Sequence, residues 1–254
     1  MVEASERHRR QRNRTSAFTR RRRLTAACLL LALAACGAPP PAPEGEIYTE
    51  ANTEFESGDF TMAALHYDEL LEQHPFSDLA EIARLRIAHA YYLGGQYEKS
   101  IAAFNDFERL HPTSEQLPFV EYTIGMAYLD QAAPLDRGKS ASENARRQFG
   151  RVRDRYPDSL YGRLAEFRIA QCDELLAGHE IVIGDYYLDT GDKQAALARY
   201  RFVVETYPES DASVEAMRRL RTHDETVALS DTELEPRAPV PYSTKFFLKD
   251  TSTE

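Results

Sequence analysis

Several stretches of the chain put reactive residue types at spacings that suggest chemistry. Arg137-Gly138-Lys139-Ser140 ends like a phosphate-binding loop, in which backbone N–H groups and a lysine hold the anion. Ala133 stands where the first glycine of such a loop belongs, and no strand precedes it, so the stretch reads as polar loop. His179-Glu180 opens like a zinc-binding helix but lacks the second histidine one turn on. His74 and His111 each precede a proline at a helix end, where a polar residue is ordinary. There is no Gly-x-Ser-x-Gly nucleophile elbow and no Cys/His pair with a third partner. The abundant carboxylates fall on helical patterns and read as solvated faces. These residues predict no catalytic site, no metal and no enzyme.

Cysteine chemistry is different. Of three cysteines (Cys28, Cys36 and Cys172), Cys36 closes "LAAC" (33–36) at the end of the apolar run "LTAACLLLALAA" (24–35), itself preceded by "TRRRR" (19–23). Twelve apolar residues are too few to span a bilayer, which needs about 20; basic flank and short run together read as a signal peptide over 1–35. A small residue before a cysteine at its end is the lipobox pattern, which predicts Cys36 as the acceptor of diacylglycerol and then an acyl chain, the only prosthetic groups expected. Gly37 follows where an Asp would be the usual inner-membrane retention signal, which favours the outer membrane. "TRRRRL" also loosely resembles a twin-arginine signal, so both the Sec and Tat routes fit. Cys172, in "FRIAQCDELL", reads as a small core residue, leaving the mature chain without an intramolecular disulfide.

Charge separates the leader from the body. The whole chain carries −10, but residues 1–35 hold nine arginines against Glu3 and Glu6, or +7. The remainder holds 22 basic and 39 acidic residues, or −17. Such a body is a poor match for nucleic-acid phosphates, and no nucleic-acid partner is expected. Residues 36–45 form the lipidated cysteine and a proline-rich tether, "GAPPPAPEG", able to reach about 25–30 Å.

The elements that position everything else come from an internal repeat between residues 46 and 229. "AALHYDELLEQHP" (63–75), "SIAAFNDFERLHP" (100–112), "ARRQFGRVRDRYP" (145–157) and "ALARYRFVVETYP" (196–208) align. Each carries a small residue, an aromatic four later and a proline eight after that: Ala63, Tyr67, Pro75; Ser100, Phe104, Pro112; Ala145, Phe149, Pro157; Ala196, Tyr200, Pro208. Upstream, Ile87-Ala88-x-x-Tyr91, Ile124-Gly125-x-x-Tyr128 and Ile183-Gly184-x-x-Tyr187 supply the first helix of a pair, and Gly58, Gly95 and Gly191 the turn. This is the tetratricopeptide pattern, with small residues at the crossing, aromatics between the helices and proline as the stop. The fold class is all-α, a solenoid of about ten helices with repeat three enlarged by the polar loop 130–144. Residues 160–191 fit either one long helix or two broken at Gly178. A final helix over 211–229 caps the stack, and residues 230–254 read as a flexible tail.

In such stacks the first helix of each pair lines a concave groove. The flanking positions give Tyr48, Asn52 and Phe55 from repeat one; Leu85, His89, Tyr92 and Leu93 from repeat two; and Tyr122, Met126 and Leu129 from repeat three. An aromatic- and methionine-rich groove suits an extended peptide or peptide end; packing against the next helix is the competing use of the same side chains.

With these features in place, the chain resembles the BamD family, the tetratricopeptide lipoproteins of outer-membrane β-barrel assembly. The resemblance rests on the lipobox and tether, "EIY" (46–48), "HPFSD" (74–78), "RLHPTSEQLPFVEYTIGMAYLD" (109–130), "ARRQFGRVRDRYPDSLYGRLAEFR" (145–168) and "HEIVIGDYYLDTGDKQAALARYRFVVETYPES" (179–210). It implies five repeats if the extra helix is paired, on the periplasmic face of the outer membrane. It implies as partners the barrel insertase, accessory lipoproteins of the same complex and unfolded barrel proteins met through aromatic-ended C-terminal signals. It places Arg199 at the insertase contact. The alternative is another envelope tetratricopeptide lipoprotein, such as a coordinator of peptidoglycan synthesis.

Overall fold

The computed structural model of the protein describes residues 42–131 and 138–224. The signal peptide, Cys36, most of the tether, the loop 132–137, residues 225–229 of the expected final helix and the tail 230–254 lie outside the described residues. Every regular element within them is an α-helix: α1 (Glu44–Ser57), α2 (Phe60–Gln73), α3 (Ala80–Leu93), α4 (Tyr97–Leu110), α5 (Leu117–Gln131), α6 (Gly138–Arg155), α7 (Leu160–Asp189), α8 (Lys193–Thr206) and α9 (Asp211–His223). Consecutive helices pack on one another. In addition α3 touches α5, α5 touches α7, and α7 touches α9, so the first helices of successive pairs form one inner layer. This is the tetratricopeptide solenoid.

The repeat positions become its core. Ala63, Ser100, Ala145 and Ala196 are completely buried, as are Tyr67, Phe104, Phe149 and Tyr200. Facing them from the first helices are Ala51, Ala88, Gly125 and Gly184. A Cβ on Gly125 would lie 2.6 Å from the Phe149 ring, and one on Gly184 2.5 Å from the Tyr200 ring. Absence of a side chain there is therefore what lets the aromatic reach the helix backbone. Ser100 uses its small size differently, donating its hydroxyl to the Ala88 carbonyl at 2.9 Å. Gly58, Gly95 and Gly191 hold the tight turns with φ of 87°, 71° and 89°, the left-handed region that only glycine enters without strain.

A second motif joins the pairs and escaped the repeat alignment. The residues before the four prolines (His74, His111, Tyr156 and Tyr207) are each followed, three positions later, by a serine. In all four the serine N–H donates to that residue's carbonyl at 3.1 Å. The hydroxyls of Ser77, Ser114, Ser159 and Ser210 then accept from Leu79, Gln116, Gly162 and Ser213 N–H at 3.0, 3.2, 2.9 and 3.0 Å. Proline stops one helix; Ser159 and Ser210 then cap the next, while Ser77 and Ser114 accept only two residues on and close the turn that leads into it.

Residues 160–189 form one 30-residue helix, α7, so the described residues hold nine helices, one fewer than two separate helices there would give. No proline interrupts the stretch. Each half is anchored in a different cluster: Ala165 and Cys172 pack with Phe149 and Val152, whereas Ala177 and Ile181 pack with Tyr200, Val203 and α9. Gly178 alone costs only about 1 kcal/mol relative to alanine, too little to break a helix held on both sides. The Gly138–Ser140 stretch is the first turn of α6 rather than a loop, and Lys139 bonds Glu180 at 2.7 Å.

Candidate functional site: an aromatic track and a buried ion cluster

The groove positions recur at a spacing of 37 residues: Tyr48, Leu85 and Tyr122; Asn52, His89 and Met126; Phe55, Tyr92 and Leu129. The structure brings them to the inner layer on α1, α3 and α5 but treats them unequally. Tyr48, Asn52, Phe55, His89, Tyr92, Leu93 and Tyr122 keep part of their surface open, while Leu85, Met126 and Leu129 are buried. Met126 is 6% exposed and packs with Phe149, Val152 and Cys172, so it supports the track from beneath. Leu85 is buried among Phe104, Phe107 and Ile124 within its own pair and the next, whereas Met126 and Leu129 are buried in a cluster that includes Ala165 and Cys172 from the first half of α7.

Ring contacts run without a break across the four first helices. Phe55 meets Phe60 at 5.5 Å and His89 at 5.5 Å; His89 meets Phe119 at 5.3 Å; Phe119 meets Tyr161 at 5.7 Å; Tyr161 meets Tyr122 at 5.4 Å. Tyr92 joins from the side, 6.4 Å from His89. Phe119 and Tyr161 were not among the sequence-derived positions. Phe119 lies one turn before the row it extends, and Tyr161 lies on an inserted stretch with no counterpart in the repeat, so the 37-residue spacing could not find Tyr161.

Polar atoms along the track are mostly engaged. The Tyr67 hydroxyl donates to Asn52 Oδ1 at 2.6 Å, the Tyr92 hydroxyl to Asp130 Oδ2 at 2.8 Å, and Arg168 Nε to the Tyr122 hydroxyl at 3.0 Å. Arg86 stands over the Phe55 ring, 5.0 Å from its centroid. Burial, with Arg86 adding to it, pushes His89 down to about 4, so it is neutral at pH 7. Burial also raises Asp130, against the opposing pull of its Tyr92 bond and Arg168. Rings in tilted and edge-to-face series, flanked by two guanidinium groups, offer an apolar row that can hold and orient an extended chain. Cys172 is fully buried, and that burial raises its thiol to about 12, far from a nucleophile. Among the described residues no group of three or more His, Cys, Asp or Glu could hold a metal ion.

Arg199 lies on α8, at the other end of the stack. Its Nη1 donates to Glu180 Oε2 at 2.9 Å, and Lys139 takes the other carboxylate oxygen. Glu180 is buried. Burial alone would raise its pKa, but the bonds from Lys139 and Arg199 hold it below the ordinary glutamate value. One turn further along α7, Asp185 accepts from the Tyr200 hydroxyl at 2.6 Å and from Arg219 Nε at 2.7 Å. Arg199 therefore sits at the open edge of an ion cluster that ties α6, α7 and α8 together.

The chain is 28% identical over 185 residues to the outer membrane protein assembly factor BamD of Caulobacter vibrioides, covering 73% of this chain and 61% of that protein. It is 29% identical over 188 residues to the protein of the same name from Xylella fastidiosa, covering 70% and 64%. The matched stretch thus spans less than two thirds of these relatives' own length. Among solved structures it is similar to the TPR2AB-domain:pHSP90-complex of yeast Sti1, with a TM-score of 0.41 and 18% identity over 70% of this chain and 71% of that one. No helix among the described residues is long and apolar enough to cross a membrane. The sequence profile of YfiO, an outer membrane lipoprotein family, matches residues 40–236, most of the chain, and the protein belongs to that family.

Proposed function

We propose that this protein is a scaffold for the assembly of β-barrel proteins into the outer membrane. It is tethered to the periplasmic face of that membrane by lipid on Cys36, binds unfolded barrel chains along the aromatic track, and docks on the insertase through the Arg199 end of the stack. Accessory lipoproteins of the same complex complete the assembly. Its work is binding and positioning, with no bond made or broken.

The observation that carries this reading is the unbroken series of rings from Phe55 on α1 to Tyr161 on α7. A row of tilted and edge-to-face rings with few free polar groups accepts apolar and aromatic side chains of many sequences, as a scaffold serving diverse clients requires. Family membership and the BamD relatives support the same assignment.

The direct test is affinity capture of the full chain from detergent-solubilised membranes. The reading expects a barrel insertase and its accessory lipoproteins to co-purify. Recovery of a murein synthase without the insertase would overturn it in favour of peptidoglycan coordination.

A further inference from the structure

The long helix α7 carries more exposed apolar surface than its own fold uses. Leu160, Phe167, Leu175, Val182 and Tyr186 are between 45% and 64% exposed. At 100° per residue their spacings of seven, eight, seven and four residues return them to one side, within an arc of about 100°. The stripe is about 39 Å long at 1.5 Å per residue. These exposures amount to on the order of 500 Å² of apolar surface, at the upper end of what monomers leave open.

Gly178 falls within the same arc, and a Cβ built on it would meet nothing within 4 Å. Unlike Gly125 and Gly184, it is not demanded by any contact inside the described chain, and it costs about 1 kcal/mol in a helix interior. A bare backbone in the middle of an apolar stripe is a place for another chain to approach closely.

The occupant that fits best is the chain's own C-terminal segment. Thirty residues, 225–254, follow the last described residue, Asp224. Extended, they reach about 100 Å, and they leave from α9, which packs directly on α7. Within them lies Val240-Pro241-Tyr242-Ser243-Thr244-Lys245-Phe246-Phe247-Leu248-Lys249, three large apolar residues between two lysines. The exposed carboxylate of Asp189, one turn past Tyr186, falls within the same arc, at the end of the stripe away from exposed Arg163. A second copy of the chain fits less well, since a stable interface needs about 800 Å² from each partner. The segment from 237 onward also lies beyond the range shared with the family.

We propose that residues 240–249 dock on the apolar stripe of α7, with Phe246, Phe247 and Leu248 over Leu175, Val182 and Tyr186 and Gly178 at the closest approach. The segment is then an intramolecular strap that any partner using this face must displace. The inference is independent of the function proposed above.

A labelled peptide of residues 237–254 tests it by fluorescence anisotropy against two full-length proteins, the unaltered chain and one carrying Phe246→Ser and Phe247→Ser. A tethered strap acts at an effective concentration on the order of 1 mM. The altered chain should therefore bind the peptide about tenfold more tightly than the unaltered one. Adding Val182→Asp to the altered chain should remove that binding, while Phe76→Asp, at a fully exposed position on the α2–α3 connection, should leave it intact. Circular dichroism confirms that each variant is folded. Equal binding by the unaltered and altered chains, or binding indifferent to Val182→Asp, would overturn the proposal. So would binding lost instead on Tyr92→Ala, which would send the segment to the aromatic track.

Discussion

Gly125→Ala and Gly150→Ala are the same substitution in adjacent helices and should have opposite signs. At Gly125 the new Cβ would lie 2.6, 2.8 and 2.9 Å from three atoms of the Phe149 ring. That ring cannot retreat, because Phe149 is completely buried among Ala145, Val152 and Met126. Overpacking of this kind costs about 1–3 kcal/mol, against a helix-propensity gain of about 0.5–1 kcal/mol. The net is a loss of about 1–2 kcal/mol, or a fall in Tm of roughly 3–6 °C for a domain of this size. At Gly150 a Cβ meets nothing within 4 Å, so only the propensity gain remains and Tm should rise by roughly 2 °C. Thermal and urea unfolding of both variants measure this. Combining Gly125→Ala with Phe149→Leu should recover on the order of 1 kcal/mol relative to the sum of the single changes, since the clash is with the ring. Equal shifts at the two glycines, or strict additivity with Phe149→Leu, would refute the idea that the bare backbone at 125 exists to seat that ring.

Three further outcomes follow from the site. The unfolded His89 imidazole takes its proton near 6.5 and the folded one only near 4, so the unfolded state binds more protons between those values and stability falls as pH falls through that window. His89→Gln should therefore remove up to about 2 kcal/mol of the stability lost between pH 7 and pH 5; urea unfolding at both pH values would show no difference from the unaltered protein if the reasoning is wrong. Arg199→Ala leaves buried Glu180 with Lys139 alone and should cost about 1–2 kcal/mol, whereas Glu180→Gln should weaken the hold on Arg199 and strengthen capture of an acidic partner, read by the same affinity purification. Cys36→Ser should move the chain from the outer-membrane to the soluble periplasmic fraction, and retention at the membrane would mean that partner contacts suffice.

The repeat was legible because its requirements are local and chemical. A small residue at each crossing and an aromatic four positions later leave little choice of packing, and all four pairs are completely buried. What covers a given helix is not local. Met126 and Leu129 occupy the same register as Asn52, His89, Phe55 and Tyr92, yet they are buried because the first half of α7 lies over α5. The same half helix brings Tyr161 into the track. Continuity of α7 through Gly178 was equally a matter of neighbours, since packing on both sides outweighs one glycine. The serine two positions after each helix-ending proline was visible in all four repeats, but only Ser159 and Ser210 cap the following helix, whereas Ser77 and Ser114 close the turn before it. For Arg199 the family resemblance implied a partner contact; the structure adds that its guanidinium already bonds Glu180, which Lys139 also holds.

The role proposed for this chain is the assembly of outer-membrane β-barrels. Depleting it from growing cells and quantifying folded porins in the outer membrane puts that role to the test. Porins should fall in step with the protein while inner-membrane proteins hold steady. Porins at their normal level after depletion would contradict it.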